Sequence, residues 1–253
     1  MIRFNRKLTL KELLKEKRKD YRNIVIIQVM IVTVGLLFSD IILEEQESLS
    51  SKLIITLFSM FSAFYAFLLW DLLRNFTNNQ YLIKGIIFVI ACIVIVGALT
   101  EFPFYNIIEF ENRRAYLFVL HGCLFPIEVL VIVFTIRDIF GGNVLTPEKL
   151  WGAACIYLMM GISFASLYDL INFASPGCFG PILPLGIPSY SECIYYSFNI
   201  LGSTETIYPN PIRLVRNIGV IEAVWGNLFI VLIIGKLLTL PRMDETGDER
   251  LAD

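Results

Sequence analysis

Between the last two long apolar runs lies Gly202-Ser203-Thr204-Glu205-Thr206, three hydroxyls around one carboxylate. Oxygen groups of this kind can line water and replace part of a cation's hydration shell. Glu222 interrupts the final apolar run, and Arg114, His121 and Glu128 recur at intervals of seven in an earlier one. Ionisable groups at membrane depth are costly and mark ion paths, proton relays or internal polar contacts. Catalysis has less to work with. A single His in the whole chain excludes a His-rich metal site or a His-based triad with spare partners. The five Cys show no C-x-x-C spacing, which leaves no zinc or thioredoxin-like motif. No catalytic constellation, metal or cofactor is expected, and permeant cations are the only small species implied.

These residues sit in an unusually apolar chain. Of its 253 residues, 56% are hydrophobic and 17% charged, against about a quarter charged in soluble domains. Mean hydropathy is +0.68. Nine of the 21 Lys and Arg fall within the first 22 residues, and seven charges fall between Arg242 and Asp253. The pattern predicts an all-α membrane protein crossing the bilayer several times, with no nucleic-acid partner.

A helix needs about 20 mostly apolar residues to cross a bilayer. Six segments qualify: Asn23 to Ile42, Leu53 to Trp70, Leu82 to Thr100, Ala115 to Ile136, Leu150 to Asn172, and Ile212 to Leu238. The basic tail belongs on the cytoplasmic side, and the acidic loop with Glu44, Glu45 and Glu47 outside. Arg74, Lys84, Arg137 and Lys149 mark inner loops, whereas Arg113 and Arg114 run against the trend. Both termini are expected in the cytoplasm and the protein in the cell (inner) membrane. That orientation discounts Asn75-Phe76-Thr77 as a glycosylation acceptor. The first run reads as a retained anchor because polar residues precede it and no cleavage site follows.

In residues 1–22 a basic amphipathic tail is expected. Thr9 and Glu12 have capping-box spacing, and Leu10, Leu13 and Leu14 form an apolar stripe among lysines. Residues 23–140 form a four-helix membrane domain, 145–240 a pore domain, and 241–253 a short cytoplasmic tail. This last segment is too small for a nucleotide-binding or calcium-sensing gate.

The connection between the fifth and sixth spans first reads as an external turret rich in Pro and Gly. Ser189 and Glu192 then have capping-box spacing, predicting a helix of about 12 residues, or about 18 Å. That is too short to span and long enough to enter the membrane and return. Polar residues follow, and Asn210 with Pro211 can start another helix. A re-entrant helix and polar strand between two spans is a pore-loop layout. Non-helical backbone at that depth must be buried in protein or line water. Cys178 and Cys193 both fall in this connection, where a disulfide or simple packing could account for them.

From Leu145 to Leu238 the chain resembles the pore half of bacterial six-span potassium-channel-like proteins. The resemblance rests on Leu145-Thr146-Pro147-Glu148-Lys149-Leu150-Trp151-Gly152-Ala153, Tyr157-Leu158, Leu167-Tyr168 and Ser175-Pro176-Gly177. Tyr195-Tyr196-Ser197-Phe198 and Glu222-Ala223 with Gly226 extend it. It implies a homotetramer with a central pore. Tyr196, Ser197 and Phe198 would support the filter from the pore helix, with Glu222 behind it and Gly226 as the inner-helix hinge. The filter departs from the family. Where channels of this kind carry Thr-Val-Gly-Tyr-Gly-Asp, this chain is two residues shorter and has Glu205-Thr206. No glycine follows Gly202 before Pro209, so the left-handed positions of a four-site carbonyl ladder are not expected.

A Glu-Thr in place of Tyr-Gly is similar to cyclic-nucleotide-gated channels, and a pore-loop Glu is similar to bacterial sodium channels. Four copies of Glu205 around one axis would attract cations and repel anions. Glu205 could instead face away from the pore and only shape the loop. The Arg114, His121 and Glu128 seam offers either a sensor or a polar contact docking the fourth span. That span lacks the repeated Arg or Lys of a voltage sensor, so gating would come from the spans, lipid, pH or a separate partner. The leading expectation is a tetrameric cation channel passing sodium and potassium, with calcium as a further candidate. A non-conducting scaffold or regulatory subunit is the alternative. A secondary transporter would show broken helices in both halves, and only one half has a re-entrant candidate.

Overall fold

A computed structural model describes residues 10–38, 48–77, 79–100, 112–141, 146–204 and 208–239, omitting the side chains of 10–14, 234 and 237–239. Among the described residues the protein is all helical: α1 (Leu10–Leu37), α2 (Leu49–Phe76), α3 (Gln80–Thr100), α4 (Arg113–Phe140), α5 (Pro147–Ala174), α6 (Ile187–Leu201) and α7 (Arg213–Thr239). Six of these, all but α6, are long and apolar enough to cross a membrane. A multi-pass membrane protein follows from that.

The amphipathic tail differs from expectation. Among the described residues no separate interfacial helix precedes the first span, because α1 runs unbroken from Leu10. The first span therefore sits on a helix that begins well before the apolar run. The reason lies in its partners. Lys17 Nζ pairs with Asp138 Oδ1 at 2.5 Å, and the Tyr21 hydroxyl donates to Asp138 Oδ2 at 2.9 Å. The first polar turns are thus held against the end of α4. Thr9, which would cap this tail, lies outside the described residues.

At the other helix starts, the caps follow side-chain chemistry. Ser48 accepts from the Ser51 amide at 3.1 Å, and Asn112 from the Ala115 amide at 3.1 Å. Thr146 precedes Pro147 at the first position of α5, where a missing N–H costs nothing.

The hub is α5, which packs against α1, α4, α6 and α7. Its buried residues lie all around the helix, from Gly152 and Ala153 to Asn172 and Phe173. A helix apolar on every side is the one the others surround. By contrast, α3 packs mainly against α2 and α4 among the described helices and buries Ile90 and Thr100 alone among its residues. Trp70 Nε1 donating to the Ile83 carbonyl at 3.1 Å and the Thr100–Tyr116 hydroxyl pair at 2.7 Å hold it in place.

Two starts were misplaced by sequence. The Ser189–Glu192 capping box does not form, because α6 begins at Ile187 after Gly186, whose φ of 89° and ψ of −144° suit glycine alone. Both polar side chains face other elements instead. Asn210 and Pro211 precede rather than start α7. The first helical carbonyl used is that of Ile212, which accepts from the Arg216 amide at 3.1 Å. The Ile212 amide meanwhile donates to the Cys178 carbonyl at 2.8 Å.

Candidate functional site

The region singled out by sequence is built around α6. This helix lies between α1, α5 and α7, and Ser189, Ser191, Glu192, Cys193, Ile194, Tyr196 and Ser197 on it are buried. So many buried hydroxyls require partners, and each partner is a tie to another helix. The Ser191 hydroxyl donates to the Gly35 carbonyl of α1 at 2.9 Å. Ser197 reaches the Gly161 carbonyl of α5 at 2.8 Å.

Glu222 of α7 is fully buried behind α6. Its Oε2 accepts from the Tyr168 hydroxyl at 2.7 Å, and its Oε1 is hydrogen-bonded to Ser197. One carboxyl therefore joins α5, α6 and α7. Tyr196 stands beside it, its ring edge-to-face with Tyr168 at 5.0 Å and against Phe179 at 5.0 Å.

Phe179 comes from the segment between α5 and α6. Expected as an external turret, that segment is partly folded inward: Cys178, Phe179 and Leu183 are buried. A turn in which the Gly180 amide donates to the Gly177 carbonyl at 2.9 Å drives Phe179 in, with Gly177 at a φ of 78°. Phe179 then meets Tyr208 at 5.3 Å. The Tyr208 hydroxyl donates to Glu192 Oε2 at 2.5 Å, and burial followed by the neighbouring Glu192 pushes its phenol upward. Cys178 and Cys193 are free buried thiols. Burial pushes the Cys178 thiol up to about 11, which disfavours the thiolate needed for reaction.

Where α6 ends, the Ser203 amide donates to the Ile200 carbonyl at 3.1 Å and the Thr204 amide to the Asn199 carbonyl at 2.9 Å. This pair of bonds is a Schellman termination, usually made with glycine in the left-handed position. Here Ser203 takes it, at a φ of 54°, while Gly202 stays right-handed at −77°. A residue other than glycine thus takes the left-handed conformation at the end of α6. That one left-handed residue closes the helix. Gly202, Ser203 and Thr204 are exposed, while Glu205 and Thr206 lie outside the described residues.

Phe198 packs edge-on over Gly161, where an added Cβ would come within 2.5 Å of the ring. Gly226 likewise lies against Leu201, with its hypothetical Cβ 2.5 Å from Leu201 Cδ2. What the structure shows at Gly226 is close packing of α7 on the end of α6.

Of the seam on α4, the structure brings His121 and Glu128 to one cavity lined by α2, α3 and α4, and does not bring Arg114 there. His121 Nδ1 lies 2.8 Å from Asp169 Oδ2, while the Ser189 hydroxyl donates to Asp169 Oδ1 at 2.6 Å. Asn172 donates to Ser189 at 3.0 Å. Asp169 and Asn172 escape sequence reading because they fall where the fifth apolar run fades, at the point where a span is normally cut off. Asn227, an exposed amide within α7, was also passed over, and its position in an otherwise apolar run was the available signal. Among the described residues no group of His, Cys, Asp and Glu is arranged to hold a metal ion. The chain matches no protein-family model, no curated protein and no solved structure.

Proposed function

We propose that the protein is a homotetrameric pore-loop cation channel of the cell membrane, with both termini cytoplasmic, conducting sodium and potassium through a filter without the potassium signature. The observation that carries this reading is α6. It is a buried helix of 15 residues, about 22 Å long, placed by sequence between the last two membrane-length helices. Its C-terminal end opens into exposed Gly202, Ser203 and Thr204. A helix of that length seated between two spans and followed by hydroxyls is suited to presenting a loop to a central axis. Glu222 supports the reading, because it clamps α6 to α5 and α7 from behind and leaves the loop as the free end. In this scheme Glu205 supplies one carboxylate per subunit at the axis. A ring of four attracts cations of either size without the stacked carbonyls that distinguish potassium.

The test is flux of sodium, potassium and N-methylglucamine into liposomes holding the full-length protein, compared with Glu205→Gln. Comparable sodium and potassium flux, exclusion of N-methylglucamine, and a fall of several-fold in the variant are expected. Potassium preference indifferent to Glu205 would overturn the filter assignment. Absence of flux from a protein of tetrameric mass would favour a channel-like scaffold.

A further inference from the structure

A cavity of about 340 Å³ lies between α2, α3 and α4, floored by α5 and the start of α6. Its lining is mostly aliphatic, which is usual for a small-molecule site of a few hundred Å³. Among its polar side chains is Glu128, near the middle of α4 and 5% exposed. One side of its carboxyl faces the Ser166 hydroxyl, and Oε2 has no hydrogen-bond partner among the described residues. His121, the other titratable group beside it on α4, is engaged with Asp169. No Lys or Arg is among the described residues that line the cavity.

The rings of Phe58, Tyr65 and Tyr190 line the same cavity, with Phe58 and Tyr190 edge-to-face at 6.1 Å. A buried carboxyl lacking a cationic partner, in a cavity also lined by aromatic rings, is the chemistry that recognises an ammonium group. The carboxylate offers a charge-assisted hydrogen bond, and the ring faces attract the cation. The aliphatic walls of α2 and α3 would take an apolar tail. We propose that this cavity binds a membrane-soluble apolar amine, one per chain, with the ammonium on Glu128. Because Ile187 and Tyr190 of α6 also form the cavity floor, an occupant would press on the same helix that holds the loop. Binding itself does not rest on ion conduction.

Gly97 supplies a variant that leaves Glu128 untouched. It lines the cavity, and a Cβ built on it meets nothing within 4 Å, so Gly97→Leu adds bulk at the cavity wall without displacing backbone. The experiment is calorimetric titration of full-length protein in lipid nanodiscs with phenylbutylamine, and with phenylbutanol as its neutral counterpart, after subtraction of empty nanodiscs. Saturable binding of the amine at one per chain is expected, weakened at least ten-fold in both Glu128→Gln and Gly97→Leu. The alcohol should bind at least ten-fold more weakly. Amine uptake equal to that of empty nanodiscs, or binding that survives Gly97→Leu, overturns the site. Equal binding of the alcohol overturns the ammonium assignment. Helical circular dichroism identifies a variant that has failed to fold, and the remaining variant then decides.

Discussion

The side chain on which most depends is Glu222, and its setting explains why a carboxyl is tolerated there. Burying a carboxyl costs much less when its oxygens are hydrogen-bonded, and Tyr168 and Ser197 each serve one oxygen. The Ser197 hydroxyl has a single proton and stands between Glu222 and the Gly161 carbonyl, so the three helices share one small network instead of separate pairs. Tyr168→Phe removes one donor while keeping the ring packed against Tyr196 and Phe179. Leaving a buried oxygen unsatisfied costs about 1–3 kcal/mol. We expect the thermal midpoint of Tyr168→Phe to fall accordingly, and the loss to shrink when the same change is made on a Glu222→Gln background. An unchanged midpoint in the single variant would mean that the hydrogen bond contributes nothing net. Glu222 was legible in the sequence as an acid in an apolar run. The resemblance placed Ser197 in the same support group, but the hydrogen bonds that Ser197 and Tyr168 make to its carboxyl were not legible, because residues on three separate helices meet only on folding.

Among the elements, α6 depends on two glycines that lie on its neighbours. Gly161 allows Phe198 to pass over α5, and Gly226 allows Leu201 to meet α7, each with 2.5 Å to a hypothetical Cβ. The two contacts differ in what can yield. Leu201 Cδ2 is the tip of a flexible side chain, and other rotamers relieve a methyl placed at Gly226. At Gly161 three atoms of the Phe198 ring lie within 3.0 Å, and α6 cannot retreat without breaking the Ser197 bond to the Gly161 carbonyl. Overpacking costs about 1–3 kcal/mol, offset by about 1 kcal/mol from replacing a helical glycine with alanine. Gly226→Ala should therefore be close to neutral in thermal unfolding, and Gly161→Ala destabilising. The reverse order would show that α6 is not pinned at Ser197. Apolar length alone revealed all six membrane-length helices, because that signal is strong and local. The start of α6 was less legible: Ser189 and Glu192 have the spacing of a cap, yet Ser189 turns to Asp169 and Glu192 to Tyr208. Spacing cannot reveal that a tertiary partner has outbid the helix's own backbone.

At the scale of the whole molecule, the last helix is only half clothed. Val215, Gly219, Glu222, Gly226, Phe229 and Ile233 form one buried stripe at alternating steps of four and three along α7. Facing away from it are Val220, Val224, Trp225, Leu228 and Val231, each more than half exposed. Apolar exposure does not by itself call for another subunit, since lipid covers such a face as well as protein does. Asn227 is different. Its amide is exposed on the same helix, and a polar side chain at membrane depth needs water or a partner's hydrogen bond. In the proposed tetramer it faces the water-filled cavity below the loop, where a polar ring keeps the path wet and a hydrophobic one gates by dewetting. Asn227→Leu should then cut sodium and potassium flux together by several-fold, while light scattering still gives four times the 28.9 kDa chain mass. A fall to a smaller assembly would place the amide at a subunit contact. Full flux from an intact tetramer would put Asn227 off the axis, and with it the face of α7 that the pore reading turns inward.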